Sequence, residues 1–194
     1  RNNGRAFLGV QQAAKNLLKY RKPDMPPFIS LTTVITKYNL KQLPEIVNLP
    51  KEWGINNISF QVLDQNFGAK YDVKWFDNNE FWPTEFSEAE EAIDGLISMK
   101  KQGVRIDNSI EQLNAFKRYY KNPSLEINNP CFTGIKNFII NEFGEVLLCW
   151  NMPSVGSLLN DNPEHIWNSK PASQMRKQIE RCKRTCRMLN CNYT

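Results

Sequence analysis

From Arg5 to Tyr20 the apolar residues Phe7, Leu8, Val10, Ala13, Ala14, Leu17 and Leu18 recur at the spacing of one helix face, which predicts an amphipathic helix. The cluster Lys22-Pro23-Asp24-Met25-Pro26-Pro27 breaks it. Phe28 to Thr36 is β-branched and apolar on both parities, the pattern of a buried parallel strand. Leu40, Leu43, Ile46 and Val47 return to helical spacing, with Asn39 placed as N-cap, Pro50 expected to bend the end and Gly54 as stop. Asn57 to Leu63 reads as a second strand. Helix, strand, helix and strand follow one another in the rhythm of βα units.

Residues 64–86 interrupt that rhythm with Phe67, Tyr71, Trp75, Phe76, Phe81 and Trp82 set among polar residues. Connections of this length are functional or disordered more often than not, and Trp75, Phe76, Phe81 and Trp82 either pack over neighbouring structure or touch a ligand. Ser87-x-x-Glu90 has the form of a capping box that opens a helix to about Gly103. Another helix is expected from Ser109, carrying Ile110, Leu113, Ala115, Phe116 and Tyr119. Around Asn128-Asn129-Pro130 the character changes, marking a boundary between domains 1–127 and 128–194. Beyond it, Lys136 to Ile140 and Glu145 to Cys149 read as strands joined by the turn Asn141-Glu142-Phe143-Gly144. Helices are expected from Asn162-Pro163 and over Pro171 to Ile179, the second delivering the chain to Cys182.

Composition adds constraints. With 194 residues, 41% of them hydrophobic, the chain can bury a real core. No apolar run approaches the roughly 20 residues needed to cross a bilayer, and Arg1-Asn2-Asn3-Gly4-Arg5 is not a signal sequence. A cytoplasmic protein without a membrane partner is therefore expected. The first residue is not Met, so the chain is expected to begin inside a longer gene product or to have been processed. The net charge of +5 is uneven: from Lys170 onward seven Lys or Arg face one acid, Glu180. Such a tail is a solvated helix face, a nucleic-acid stripe, or a counter-charge to an anionic centre. The last is favoured, through Arg176, Lys183 or Arg187, and a nucleic-acid partner is not expected.

All five cysteines follow position 130. They read C-x12-G-x4-C at Cys131, Gly144 and Cys149, and C-x3-C-x4-C at Cys182, Cys186 and Cys191. An odd count excludes complete intrachain disulfide pairing, so a metal or cluster is the better reading. A hairpin gathers the first two thiols at its open end and a short loop supplies the rest. Thiolate ligands suit iron–sulfur or zinc, and spacing alone leaves both open. The bland alternative is a set of buried structural thiols. His165 is the single histidine and is placed on a helix surface, so a Cys/His dyad is not expected. No Gly-rich phosphate loop is present. A cubane takes four thiolates, so one of the five is spare; Cys186 is the safest of the last three, and Cys191 is favoured over Cys182 as the fourth.

These motifs resemble the SPASM and shorter twitch auxiliary-cluster domains at the C-terminus of many radical S-adenosylmethionine enzymes. Cys131, Gly144 and Cys149 fit that family's C-x9-15-G-x4-C. Val155-Gly156-Ser157-Leu158 is similar to its I-G-N-I, and Glu164 to Ser169 is similar to its x-x-I-W-N-S. Met175-Arg176 and Cys182 stand where its arginine helix ends in cysteines. Leu31 to Leu40 and Gly54 to Gln61 resemble strand segments of the same enzymes. The family's full domain has seven or more cysteines and two clusters, whereas five here suit one.

The resemblance implies an α/β fold: half of a (β/α)6 partial barrel over 1–127, then a small α+β cysteine-rich hairpin-and-helix domain over 128–194. It implies one auxiliary [4Fe-4S] cluster held by cysteines from the set Cys131, Cys149, Cys182, Cys186 and Cys191. In the intact protein it also implies S-adenosylmethionine and a second [4Fe-4S] cluster bound by a C-x3-C-x2-C motif, which these 194 residues lack. The expected role is cluster binding and help in binding substrate, with peptides or proteins as one substrate class known among relatives. This part alone is expected to be inactive within an oxidoreductase or maturase. The alternative is a zinc-stapled binding module whose basic tail contacts nucleic acid; a degenerate barrel acting as a peptide-binding adaptor is a third.

Overall fold

The computed structural model of the protein describes residues 5–22, 29–65, 72–125 and 130–188, with the side chains of 187 and 188 excepted. Phe67, Tyr71 and Cys191 therefore lie outside the described residues. The chain forms two compact units: one comprises Arg1–Leu63 with Pro83–Lys117, the other Asp64–Trp82 with Arg118–Thr194.

The first unit is built on a parallel strand pair, β1 (Ser30–Ile35) and β2 (Asn57–Val62), in the register Thr32↔Ser59 and Ile35↔Val62. A further parallel bridge joins Ile58 to Ile106. The crossover after β1 is a 3-10 turn (Leu40–Gln42) with the short helices α2 (Leu43–Ile46) and α3 (Leu49–Trp53), stopped by Gly54 at φ 72°. That positive φ is why glycine stands there. The crossover after β2 includes α4 (Phe86–Lys101), which buries Ala89, Ile93, Leu96 and Ile97 on one stripe. Ile35, Ile58, Phe60 and Val62 on the sheet are buried, as are Leu40 and Leu43 on the connection. The mix of helices and strands is an α/β arrangement.

Several sequence expectations change here. The single helix expected after Asn39 is three short pieces, because Pro44 and Pro50 each start a new one. Asn39 does not cap forward. Its carboxamide turns back, accepting from Thr36 N–H at 2.8 Å and donating to Val34 C=O at 2.8 Å. The Ser87-x-x-Glu90 box does not start α4, whose N-cap is Glu85 without a side-chain bond. Only one sheet face is buried: Thr32, Val34 and Gln61 are exposed, and the Thr32 and Ser59 hydroxyls meet at 3.0 Å on that face. Helix α1 (Arg5–Lys19) exists, but of its apolar stripe only Ala14 is buried, while Phe7, Leu8, Val10 and Leu17 are exposed. Phe7 stacks on Trp53 with ring centroids 5.5 Å apart.

Asn108, 4% exposed, binds the edge of β2: Phe60 N–H donates to its Oδ1 at 2.6 Å, and its Nδ2 donates to Phe60 C=O and to Gln112 Oε1, both at 2.9 Å. Ser109 Oγ then accepts from Gln112 N–H at 3.1 Å and caps α5 (Ile110–Lys121).

The second unit contains a three-stranded antiparallel sheet, β3 (Ile139–Ile140), β4 (Glu145–Leu147) and β5 (Gly156–Ser157), in that order. The β3–β4 hairpin follows the sequence expectation, with Gly144 at φ 74° and Asn141 Oδ1 accepting from Phe143 and Glu145 N–H. Residues 136–138 are not strand, since Thr133–Lys136 forms the helical turn α6. α7 (Pro163–Asn168) is capped by Asn162, whose Oδ1 accepts from His165 N–H at 2.8 Å. α8 (Lys170–Arg181) is capped by Ser169, and Cys182 is its C-cap. Val146, Leu148, Val155, Ile166, Ala172, Met175 and Ile179 form the core. Among the described residues, no helix is long and apolar enough to cross a membrane.

Candidate metal centre

Cys131 precedes α6 and Cys149 follows β4, so neither sits on a regular element. Two features join them. Thr133, 2% exposed, donates its hydroxyl to Leu148 C=O at 3.1 Å, tying the residue two beyond Cys131 to the residue just before Cys149. Both cysteines also pack on the same apolar core. The Thr133–Leu148 bond and the shared core thus draw together the segments that carry two thiols distant in sequence.

The second cysteine group sits where α8 ends. α8 is pinned by close approach: a Cβ on Gly134 would stand 3.1 Å from Ile179 Cδ1 and 3.3 Å from Arg176 Cγ. Arg176 braces three elements, donating from Nε to Gly134 C=O at 3.0 Å and from an Nη to Trp167 C=O at 2.8 Å, with its guanidinium 4.3 Å from the Trp167 ring centre. Beyond Cys182 a 3-10 turn (Thr185–Met188) carries Cys186. Thr185 anchors it by donating to Pro123 C=O at 2.8 Å.

Cys131, Cys149, Cys182 and Cys186 are half-buried thiols. Burial pushes the Cys186 thiol up, and the charges of Asp64, Cys149, Cys182 and Cys131 push it the same way. Cys186 therefore lies within electrostatic reach of the other three sulfurs. A buried thiol such as Cys186 that resists losing its proton is what a cationic centre reverses, because a coordinated thiol is held as thiolate. Asn151 N–H donates to Cys149 Sγ at 3.4 Å, a bond that favours charge on that sulfur. Soft donors, a buried Cys186 near the other sulfurs and a backbone donor aimed at Cys149 fit a thiolate-ligated centre. Among the described residues no group of three or more His, Cys, Asp or Glu is drawn together closely enough to hold a metal ion as it stands. A single tetrahedral zinc needs thiolate sulfurs about 3.8 Å apart.

Of the basic residues expected to offset a centre, Arg176 is engaged by the two carbonyls, Lys183 is exposed, and the Arg187 side chain lies outside the described residues. His165 is exposed on α7, its Nδ1 2.7 Å from Asp161 Oδ2, as the sequence reading placed it. The aromatic segment packs in the second unit: Trp82 lies 5.4 Å from Trp75, 5.7 Å from Tyr119 and 5.0 Å from Tyr120, centroid to centroid.

Sequence reasoning missed Asp64 and Arg184. Burial raises the Asp64 carboxyl, opposed by the Gln65 N–H, the Tyr119 hydroxyl and the Arg184 charge. The signal was present, since Asp64 is an acid just past the C-terminal end of a parallel strand, where ligand-contacting residues concentrate in α/β folds.

Residues 131–192 match the SPASM model, an iron-sulfur cluster-binding domain. No curated protein and no solved structure matches the chain. The matched region begins at Cys131 and spans all five cysteines, and the match indicates iron–sulfur cluster binding for it.

Proposed function

We propose that the chain is the C-terminal part of a radical S-adenosylmethionine enzyme: residues 1–127 supply the second half of a partial barrel, and residues 128–194 hold an auxiliary [4Fe-4S] cluster. The observation that carries the reading is the SPASM match over a region whose Cys186 is under the electrostatic influence of Cys131, Cys149 and Cys182. Support for the barrel comes from parallel strands joined by helical crossovers, with Thr32, Ser59 and Gln61 on one sheet face where Thr32 and Gln61 are exposed. When bound, the cluster supplies electron transfer or a substrate anchor.

The chain's own residues position that chemistry. Thr133 sets the spacing of the first cysteine pair, Asn151 N–H favours charge on Cys149, and Thr185 fixes the loop that bears Cys186. Cys131, Cys149, Cys182 and Cys186 are the proposed ligands. Cys182 stands in this set because it lies within electrostatic reach of Cys186, whereas Cys191, favoured by the sequence, lies outside the described residues. The substrate class is a peptide or protein in a cytoplasmic setting, and cleavage of S-adenosylmethionine is left to the C-x3-C-x2-C cluster that these 194 residues do not encode.

Anaerobic reconstitution tests the reading. About four iron and four sulfide per chain are expected. Serine at Cys131, Cys149, Cys182 or Cys186 should strongly lower both, and Cys191→Ser should leave them intact. One zinc per chain with no sulfide would instead establish the zinc-stapled module, and iron retained in Cys182→Ser would restore Cys191 as the fourth ligand.

A further inference from the structure

Scattered apolar side chains on a surface are ordinary, but several gathered on one turn mark a contact site. The tip of the β3–β4 hairpin gathers them. Ile140 is 51%, Phe143 68% and Leu159 79% exposed. Leu159 is brought there by the chain leaving β5: Leu158 N–H donates to Gly144 C=O at 2.9 Å, and a Cβ on Gly144 would stand 3.3 Å from Leu159 Cγ. Glu142 on the turn, Glu145 on β4, Asp161 just before α7 and Glu164 in its first turn are all exposed. Residues 137–169 contain these four acids and no Lys or Arg. The tip is thus an apolar knob with a negative rim, which repels nucleic acid and anionic lipid and favours a cationic partner.

The chain itself carries the complement. On α1, Arg5, Leu8, Gln12, Lys15 and Lys19 follow one another three or four residues apart and share one stripe. All five are exposed, Leu8 by 60%. Residues 5–22 hold five Lys or Arg and no acid. The side by which α1 packs is a different one, marked by buried Ala14, by Phe7 on Trp53 and by Leu18 beside Gly54. The basic stripe therefore stays open to a partner, with a leucine to meet an apolar knob and cations to meet its rim.

We infer that the chain associates with a second copy of itself, the basic stripe of α1 on one copy seated on the Phe143 and Leu159 knob of another. Knob and stripe are different surfaces, so the contact is heterologous and each copy can both give and receive it. The inference goes beyond the cluster reading and does not rest on it.

Sedimentation velocity of the full 194-residue chain, reconstituted and kept under reductant to exclude disulfide-linked species, tests it. Association is expected in low salt and should weaken in high salt. Leu159→Ser removes apolar contact at a side chain the fold barely covers, and should raise the dissociation constant at least about ten-fold. Lys15→Glu with Lys19→Glu turns the stripe net negative, and Glu142→Lys with Glu145→Lys and Glu164→Lys turns the rim net positive. Each of these chains should be monomeric alone, and an equal mixture of the two should associate, since opposite charges then meet at both kinds of contact. On the unsubstituted chain, mixed from light and heavy-isotope-labelled copies, carbodiimide coupling should join Lys15 or Lys19 of one copy to Glu142 or Glu164 of another, a result that stands even if a variant misfolds. A chain that stays monomeric in low salt, association unchanged by Leu159→Ser, folded charge-reversed chains that do not combine, or cross-links that avoid these residues overturn the inference. Iron and sulfide assayed on the same sample report on the cluster alone, so the two readings fail separately.

Discussion

The first unit relies on large apolar side chains, with Ile35, Leu43, Ile58, Phe60, Ile93, Leu96, Leu113 and Phe116 fully buried around a parallel strand pair. The second has strands of two or three residues, an aliphatic core from Val146 to Ile179 and, apart from it, rings gathered around Trp82 with Tyr119 and Tyr120 buried. Apolar burial scales with side-chain area, and the second unit, with its short strands, adds other means to it. It uses contact at van der Waals limits, with a Cβ on Gly156 falling 2.9 Å from Ile166 Cγ2, and the Arg176 brace across α6, α7 and α8. It also holds a buried thiol, Cys186, that a metal centre would keep as thiolate. The difference teaches that stability can be stored in area or in fit, and that fit is the more fragile of the two.

The sharpest test of this contrast is Phe60→Ala, which removes a ring with 0% exposure and should destabilise the first unit by about 3–5 kcal/mol in urea titration. A cost below about 1 kcal/mol would break the comparison on the side of area. On the side of fit, Gly156→Ala adds a single methyl against the branched Cβ of buried Ile166. The expected loss is about 1–3 kcal/mol, read by the same titration monitored at second-unit signals. A neutral result would mean that this small core yields to added volume. The smallest effect belongs to the surface. The His165 hydrogen bond, then the Asn162 N–H, hold the Asp161 carboxyl below its usual range. A lowered carboxyl contributes stability above its unfolded pKa and loses it as pH falls through the folded value. Asp161→Asn should therefore lower the thermal midpoint slightly at neutral pH, and the gap to the unsubstituted chain should close on acidification. Salt should also narrow it.

Much of this was legible in the sequence where a signal was local. The 3.6-residue stripe of Ile93, Leu96 and Ile97 located α4, and Asn141 with Gly144 located the β3–β4 hairpin. Asn162 and Pro163 announced α7 through cap chemistry that the structure keeps. Signals that depend on a partner were not legible. Asn39 has the composition of a cap, yet its carboxamide closes on Thr36 and Val34 behind it. The stripe of α1 predicted a helix correctly but not what its Phe7, Leu8 and Val10 would face. Lys136 and Asn137 read as strand because Ile139 and Ile140 follow, whereas the close packing of Gly134 on Arg176 and Ile179 favours a helical turn there. For the site, cysteine spacing named the thiols, but Asp64, Arg184 and Thr185 lie far from Cys131 and Cys149 in sequence and carry no motif.

Asn108 has a consequence for the chain's behaviour in company. Its carboxamide takes both the N–H and the C=O that Phe60 would offer to another strand, so at that rung the ladder is closed by a side chain. An unpaired strand edge is a template for pairing with other molecules. Past the Ile58–Ile106 bridge, an amide that cannot propagate thus stands at that edge of β2. The same residue, through Gln112, turns the chain into α5. A single carboxamide thus acts as a guard against self-association at the place where the fold changes from sheet to helix.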